Sequence, residues 1–184
     1  MKTLYRLHEH LRSQPFWFVV VSIAAASSIS LLGGMGLELA AERLLPLVPM
    51  IIALPALNTM VGDYATVIAA HAGDPNERPR SRRELARAIS ISVFINIFGV
   101  FGLSVVLAIN RDYAFTTAVL VKFGLFILLA VIGVVAFMFT ITLFLDKIFE
   151  KRKLNPDDLL IPIVTTISDV LMLGSIAIAA WWLF

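Results

Sequence analysis

Two aspartates stand inside long apolar stretches of this chain. Asp63 lies in "PALNTMVGDYATVIAA" and Asp169 in "NPDDLLIPIVTTISDVLML". A carboxylate at the centre of a membrane helix costs roughly 2.5–3.5 kcal/mol, so such groups usually face a protein interior or a water path. No lysine or arginine lies deep in either stretch to offset the charge. Hydroxyls and small residues accompany both. On a helical wheel Pro55, Thr59, Gly62, Asp63, Thr66 and Ala70 fall within about 100° of one another, with Leu57, Val61 and Ile68 opposite. Asp158, Pro162, Thr165, Thr166 and Asp169 likewise share a face. Two chemistries suit carboxylates placed this way. They can hold a hard cation that keeps part of its water shell, or they can share a proton as an acid–base dyad. No histidine or cysteine lies on either stripe, which argues against a dedicated site for soft metals.

The candidate lining is therefore Asn58, Thr59, Gly62 and Thr66 on one helix and Thr165 and Thr166 on the other, with Asp63 and Asp169 as ligands. Threonines in membrane helices also bond back to their own backbone, which is the competing use of these hydroxyls. Asp157 and Asp158 follow Asn155-Pro156, an N-cap followed by a proline at the first helical position, and complement the helix dipole. They also stand where cations would gather at a mouth. Ser92 and Asn96, one turn apart, read as helix-packing contacts. Gly99, Gly102, Gly124 and Gly133 read as close-packing sites.

The elements that must position these groups follow from composition. The 184 residues are 59% hydrophobic and only 15% charged, with no cysteine, and the mean hydropathy is +0.90. Soluble domains carry about 25% charged residues; this chain cannot cover a water-facing surface. Five apolar stretches, at about 16–37, 47–72, 85–109, 115–145 and 159–184, each reach the ~20 residues that cross a bilayer as a helix. The fourth exceeds that length and should tilt or protrude. The first is too long for the 7–15-residue core of a signal peptide.

Twelve of the fifteen basic residues fall before the first stretch, between the second and third, or between the fourth and fifth. That bias places the N-terminus in the cytosol and the C-terminus outside. It also accounts for the pI near 9.2 without nucleic acid. Residues 1–14 read as an amphipathic helix lying on the membrane, with Met1, Leu4, Leu7 and Leu11 on one side. His8 and His10 are two apart, share no helix face, and read as surface histidines. The fold class is thus an all-α integral membrane protein: an interfacial helix (1–14) and one five-helix domain (15–184).

The two aspartate segments resemble the signature segments of the MgtE-type magnesium channels and their eukaryotic solute-carrier relatives. The first signature reads approximately P-x-L-x-x-x-x-G-N, matched by Pro55, Leu57 and Gly62. The second reads approximately [DN]-P-[DA]-x-x-x-x-P-x-x-[TS]-x-x-x-D, matched by Asn155, Pro156, Asp157, Pro162, Thr165 or Thr166, and Asp169. The resemblance implies a homodimer in a bilayer, with a cation pore lined by the second and fifth helices. It implies hydrated Mg²⁺ as the bound and transported ion, gathered by Asp169 of both subunits, and no other cofactor. Mn²⁺, Co²⁺, Ca²⁺ and Zn²⁺ are the alternative cargoes. The expected location is a prokaryotic plasma membrane. Asp63 departs from the signature, which usually has asparagine there, and so adds charge near the pore. The bacterial channels also carry large cytosolic sensor domains for which these residues leave no room, so their gating does not carry over. Two rival classes remain at this stage. An intramembrane aspartyl protease would place its PAL motif on a separate helix and glycine at position 60, where this chain has Met60. An accessory membrane subunit would use its acids only to pair helices.

Overall fold

The computed structural model describes residues 14–44, 47–72, 79–114, 116–152 and 156–182, and these contain helices and turns but no strand. In chain order the helices are α1 (Gln14–Leu39), α2 (Ala41–Leu44), α3 (Val48–Ala72), α4 (Pro79–Ile109), α5 (Thr117–Arg152) and α6 (Pro156–Trp182). All but α2 contain a segment long and apolar enough to cross a membrane. Helices are the form that satisfies every backbone polar group within one segment, as hydrocarbon requires. The expected interfacial helix at 1–14, with His8 and His10, falls almost wholly outside the described residues.

Helix ends follow local chemistry. α4 starts six residues earlier than hydropathy alone suggests, at Pro79, because proline at the first helical position is already fixed at a helical φ. Pro156 opens α6 in the same way. α5 runs for 36 residues, about 54 Å at 1.5 Å per residue, well beyond a ~30 Å hydrocarbon core. α4 closes in a Schellman motif. Asp112 sits at φ 58°, Tyr113 N–H donates to the Ala108 carbonyl and Asp112 N–H to that of Ile109. A short aspartate tolerates the left-handed region that normally takes glycine. At the other end of α6, the Arg43 guanidinium lies 3.9 Å from the centre of a Trp181 ring and donates to the Trp181 carbonyl. A cation at a helix C-terminus complements its dipole and gains from the aromatic face.

α3 and α6 form the centre. α3 packs against α4, α5 and α6; α6 packs against α1, α3 and α5; among the described residues α1 has no long neighbour except α6. Leu57, Val61 and Ile68 of α3, Val131 and Met138 of α5, and Val164 and Met172 of α6 are at most 1% exposed. Truncating such a side chain to alanine typically costs about 2–5 kcal/mol. The apolar side of α3 is thus the packed side. Its polar stripe is turned partly outward, and both Thr59 and Asp63 are exposed.

Of the four glycines expected at close contacts, one makes such a contact. Gly124 does lie close to a neighbour: a methyl there would meet Phe101 Cε2 at 3.4 Å. Gly99, Gly102 and Gly133 have nothing within 4 Å of such a methyl, because they lie on open flanks of α4 and α5. The close approach occurs instead at Gly33, whose added methyl would stand 3.4 Å from Val170 Cα and Leu173 Cδ1. That glycine lets α1 sit against α6.

Candidate functional site

Asp169 projects from the middle of α6 and is half-buried. Its two carboxylate oxygens are held from opposite sides. Asn58 Nδ2 of α3 donates to Oδ1 at 3.1 Å, and Ser30 Oγ of α1 donates to Oδ2 at 3.1 Å. The backbones of α1 and α3 do not approach each other, so Asp169 is the polar point at which both meet α6. Among the described residues no cationic side chain pairs with it. Two neutral donors orient the carboxylate and leave its charge uncompensated. The Asn58 Oδ1 atom is buried and accepts no hydrogen bond. An orphaned buried acceptor is unusual and calls for a partner such as a water or ion.

Gly62 lies one turn after Asn58 on the same face of α3. An added methyl at Gly62 would be 3.8 Å from Thr165 Cγ2, 3.9 Å from Asp169 Oδ1 and 4.0 Å from Ser168 Oγ. The glycine therefore sets how near α3 comes to the carboxylate.

Asp63 goes elsewhere. One residue on, and so about 100° round the helix, it lines an open groove of about 570 Å³ between α3 and α4, with Pro55, Thr59, Tyr64 and Asn96. It makes no hydrogen bond or ion pair with the described residues. The candidate lining of α3 is thus divided: Asn58 and Gly62 face Asp169, while Thr59 and Asp63 face the groove. A stripe 100° wide is broad enough to meet two different neighbours.

The threonines take their competing use. Thr66 Oγ1 donates to the Gly62 carbonyl at 3.0 Å, Thr165 to Ile161 at 2.7 Å and Thr166 to Pro162 at 2.7 Å. Their protons are spent within their own helices, and only hydroxyl lone pairs remain to offer. The side chains of Asp157 and Asp158 lie outside the described set.

Ser92 and Asn96 make the helix-packing contact expected of them. The Tyr64 hydroxyl is 2.8 Å from Ser92 Oγ, and Asn96 Nδ2 donates to it at 2.6 Å, tying α3 to α4 at the edge of the groove. Tyr64→Phe is expected to lower stability by about 1 kcal/mol and to leave flux per folded protein unchanged. Thermal unfolding of the purified protein checks the first, and a vesicle flux assay the second.

Ser30 had no signature in the sequence. It sits in "AAASSISLLGG", a run of small residues with three serines. Its neighbour Ser28 donates to its own helix at Ala24, so residue type does not tell the two apart. Among the described residues no three histidine, cysteine or acidic side chains cluster as a metal site; one protomer brings a single carboxylate to the Ser30–Asn58 cradle.

No curated protein and no solved structure gives a significant match. A family described as MgtE, divalent cation transporter, matches residues 48–179, from the start of α3 to near the end of α6. That is a transporter family rather than an enzyme family, and it removes the protease reading. The divided stripe agrees, since a dyad needs two carboxylates sharing one proton. The chain is an integral membrane protein of the MgtE divalent cation transporter family.

Proposed function

We propose that this chain passes Mg²⁺ across a membrane as a homodimer, along a path lined by α3 and α6 of both copies. The observation that carries the reading is the uncompensated Asp169 carboxylate, held among the described residues only by Ser30 and Asn58. Mg²⁺ dehydrates reluctantly and is usually bound through retained waters and one or two carboxylates. One Asp169 per copy supplies that number in a dimer. The unpartnered Asn58 Oδ1 offers an acceptor for an ion-bound water.

The groove beside Asp63 supports the dimer. A lone protomer would leave an exposed carboxylate toward lipid, at the insertion cost already noted. A second copy across the outward polar stripe of α3, with water between, removes that cost. The basic bias of the loops orients the protein with its N-terminus in the cytosol, in the plasma membrane of a prokaryotic cell.

The test is uptake into proteoliposomes loaded with a Mg²⁺-sensitive dye, driven by an inside-negative potential, with Mn²⁺, Co²⁺, Ca²⁺ and Zn²⁺ as competitors. Mg²⁺ uptake above that of protein-free vesicles is expected; none at any potential sinks the proposal. Asp63→Asn, which restores the residue usual in the family signature, should retain uptake and change the ranking of competitors. An unchanged ranking would remove Asp63 from the path.

A further inference from the structure

α4 ends in the turn at 110–112, and α4 and α5 touch near that end. The Phe101 and Phe123 rings lie with centroids 5.5 Å apart, and Phe101 lies over Gly124. Toward the other end the helices part. A slot of about 430 Å³ opens between them, lined among others by Ala86, Ile89, Phe94, Ala136 and Phe139. Small residues facing each other across it, Ala86 and Ser90 on α4 and Ala136 and Thr140 on α5, leave the room.

The slot is apolar in practice as well as in composition. Its two hydroxyls are spent internally: Ser90 Oγ donates to the Ala86 carbonyl at 2.7 Å and Thr140 Oγ1 to the Ala136 carbonyl at 3.0 Å. Ile89, Val93 and Val135 form a buried floor. Phe94 on the rim is 48% exposed and Ile132 38%. Nothing here would hold a polar ligand along its length.

The open end is different. A residue seven along a helix returns to nearly the same face. Arg83 and Arg87 precede Ser90 and Phe94 by seven, and Lys147 follows Thr140 by seven. All three are exposed. Of the nearby acids, Asp146 is buried and lies 3.9 Å from Arg82, and Glu84 is exposed beside Arg83, so among the described residues at this end the exposed cations outnumber the exposed acid three to one. An apolar slot continued by three cations matches a molecule with an alkyl chain and an anionic head. Basic pockets between membrane helices suit anionic lipid heads in this way.

We propose that the slot between α4 and α5 holds one acyl chain of an anionic phospholipid, with its phosphate against Arg83, Arg87 and Lys147. The site lies away from Asp169 and does not depend on which ion is carried.

The experiment is native mass spectrometry of the full chain in mild detergent, titrated with phosphatidylglycerol and with phosphatidylcholine of the same chains. Tighter retention of phosphatidylglycerol is expected. Each basic residue changed to glutamine should weaken it about fivefold, so that R83Q/R87Q/K147Q holds the two lipids alike. Ala136→Phe, which fills the slot from an exposed position, should weaken both. Equal retention of the two lipids by the unaltered protein overturns the proposal. So does unchanged retention by Ala136→Phe, or full competition by glycerol phosphate, which has the head without the chain. A shift in oligomeric state in Ala136→Phe with lipid binding intact would assign the slot to a second copy instead.

Discussion

Asp169→Ala is expected to reduce Mg²⁺ uptake to the level of protein-free vesicles while the purified protein stays helical and monodisperse. Among the described residues the carboxylate is hydrogen-bonded only by Ser30 of α1 and Asn58 of α3. An ion leaving bulk water must be repaid by oxygen ligands and opposite charge. Hydroxyls whose protons are already committed to Ile161 and Pro162 supply neither in full. Structural loss is smaller. Two hydrogen bonds from neutral donors to the carboxylate disappear, worth about 1.5–3 kcal/mol each for a charged acceptor, and the cost of holding that charge in the membrane, roughly 2.5–3.5 kcal/mol, disappears with them. Asp169→Asn separates the two effects, because it keeps the shape and an acceptor oxygen for one donor but removes the charge. It should be as inactive as the alanine variant and nearly as stable as the unaltered protein. Transport by Asp169→Asn at the normal rate would show that the carboxylate only pairs helices.

Gly62→Leu should fail for a different reason. Alanine at this position makes ordinary contacts, 3.8 Å to Thr165 Cγ2 and 3.9 Å to Asp169 Oδ1, and is expected to fold and transport. Leucine extends three further heavy atoms toward Thr165, Asp169 and Ser168, and Ser168 is completely buried. Overpacking of this kind costs about 1–3 kcal/mol. The cheapest relief is for α3 to move off α6, which pulls Asn58, one turn away, from the carboxylate. A lowered unfolding temperature together with lost uptake is the expected outcome for leucine, with both restored for alanine. A leucine variant that transports normally would mean that the α3–α6 spacing does not govern the site.

These two positions also show what could be read beforehand. Hydropathy locates the five long helices because hydrocarbon demands about 20 apolar residues per crossing. A charge in such a stretch identifies Asp169 because it is costly wherever it has no purpose. Gly62 and Asn58 are found because they sit on the same helix as another such charge. The division of the α3 lining between two neighbours was not legible, since a wheel gives directions without saying what stands in each. Ser30 was hidden more deeply. It is 139 residues from its partner, and a serine among serines and alanines carries no periodic signal. The outward turn of Thr59 and Asp63 was legible only as polarity; that Leu57 and Val61 take the inner side depends on where α5 and α6 pack.

The placing of α1 has a consequence for how the protein is made. α1 leaves the ribosome before α3, α4 and α5, yet its one long neighbour among the described residues, α6, follows all three. At about 5–20 residues per second, the interval between Ser30 and Asp169 is roughly 7–28 s. During that time α1 lacks the helix on which it packs here, and Ser30 lacks the carboxylate to which it donates. α1 is therefore recruited only when α6 arrives, and the carboxylate receives Ser30 as a donor after α3, α4 and α5 have all been made.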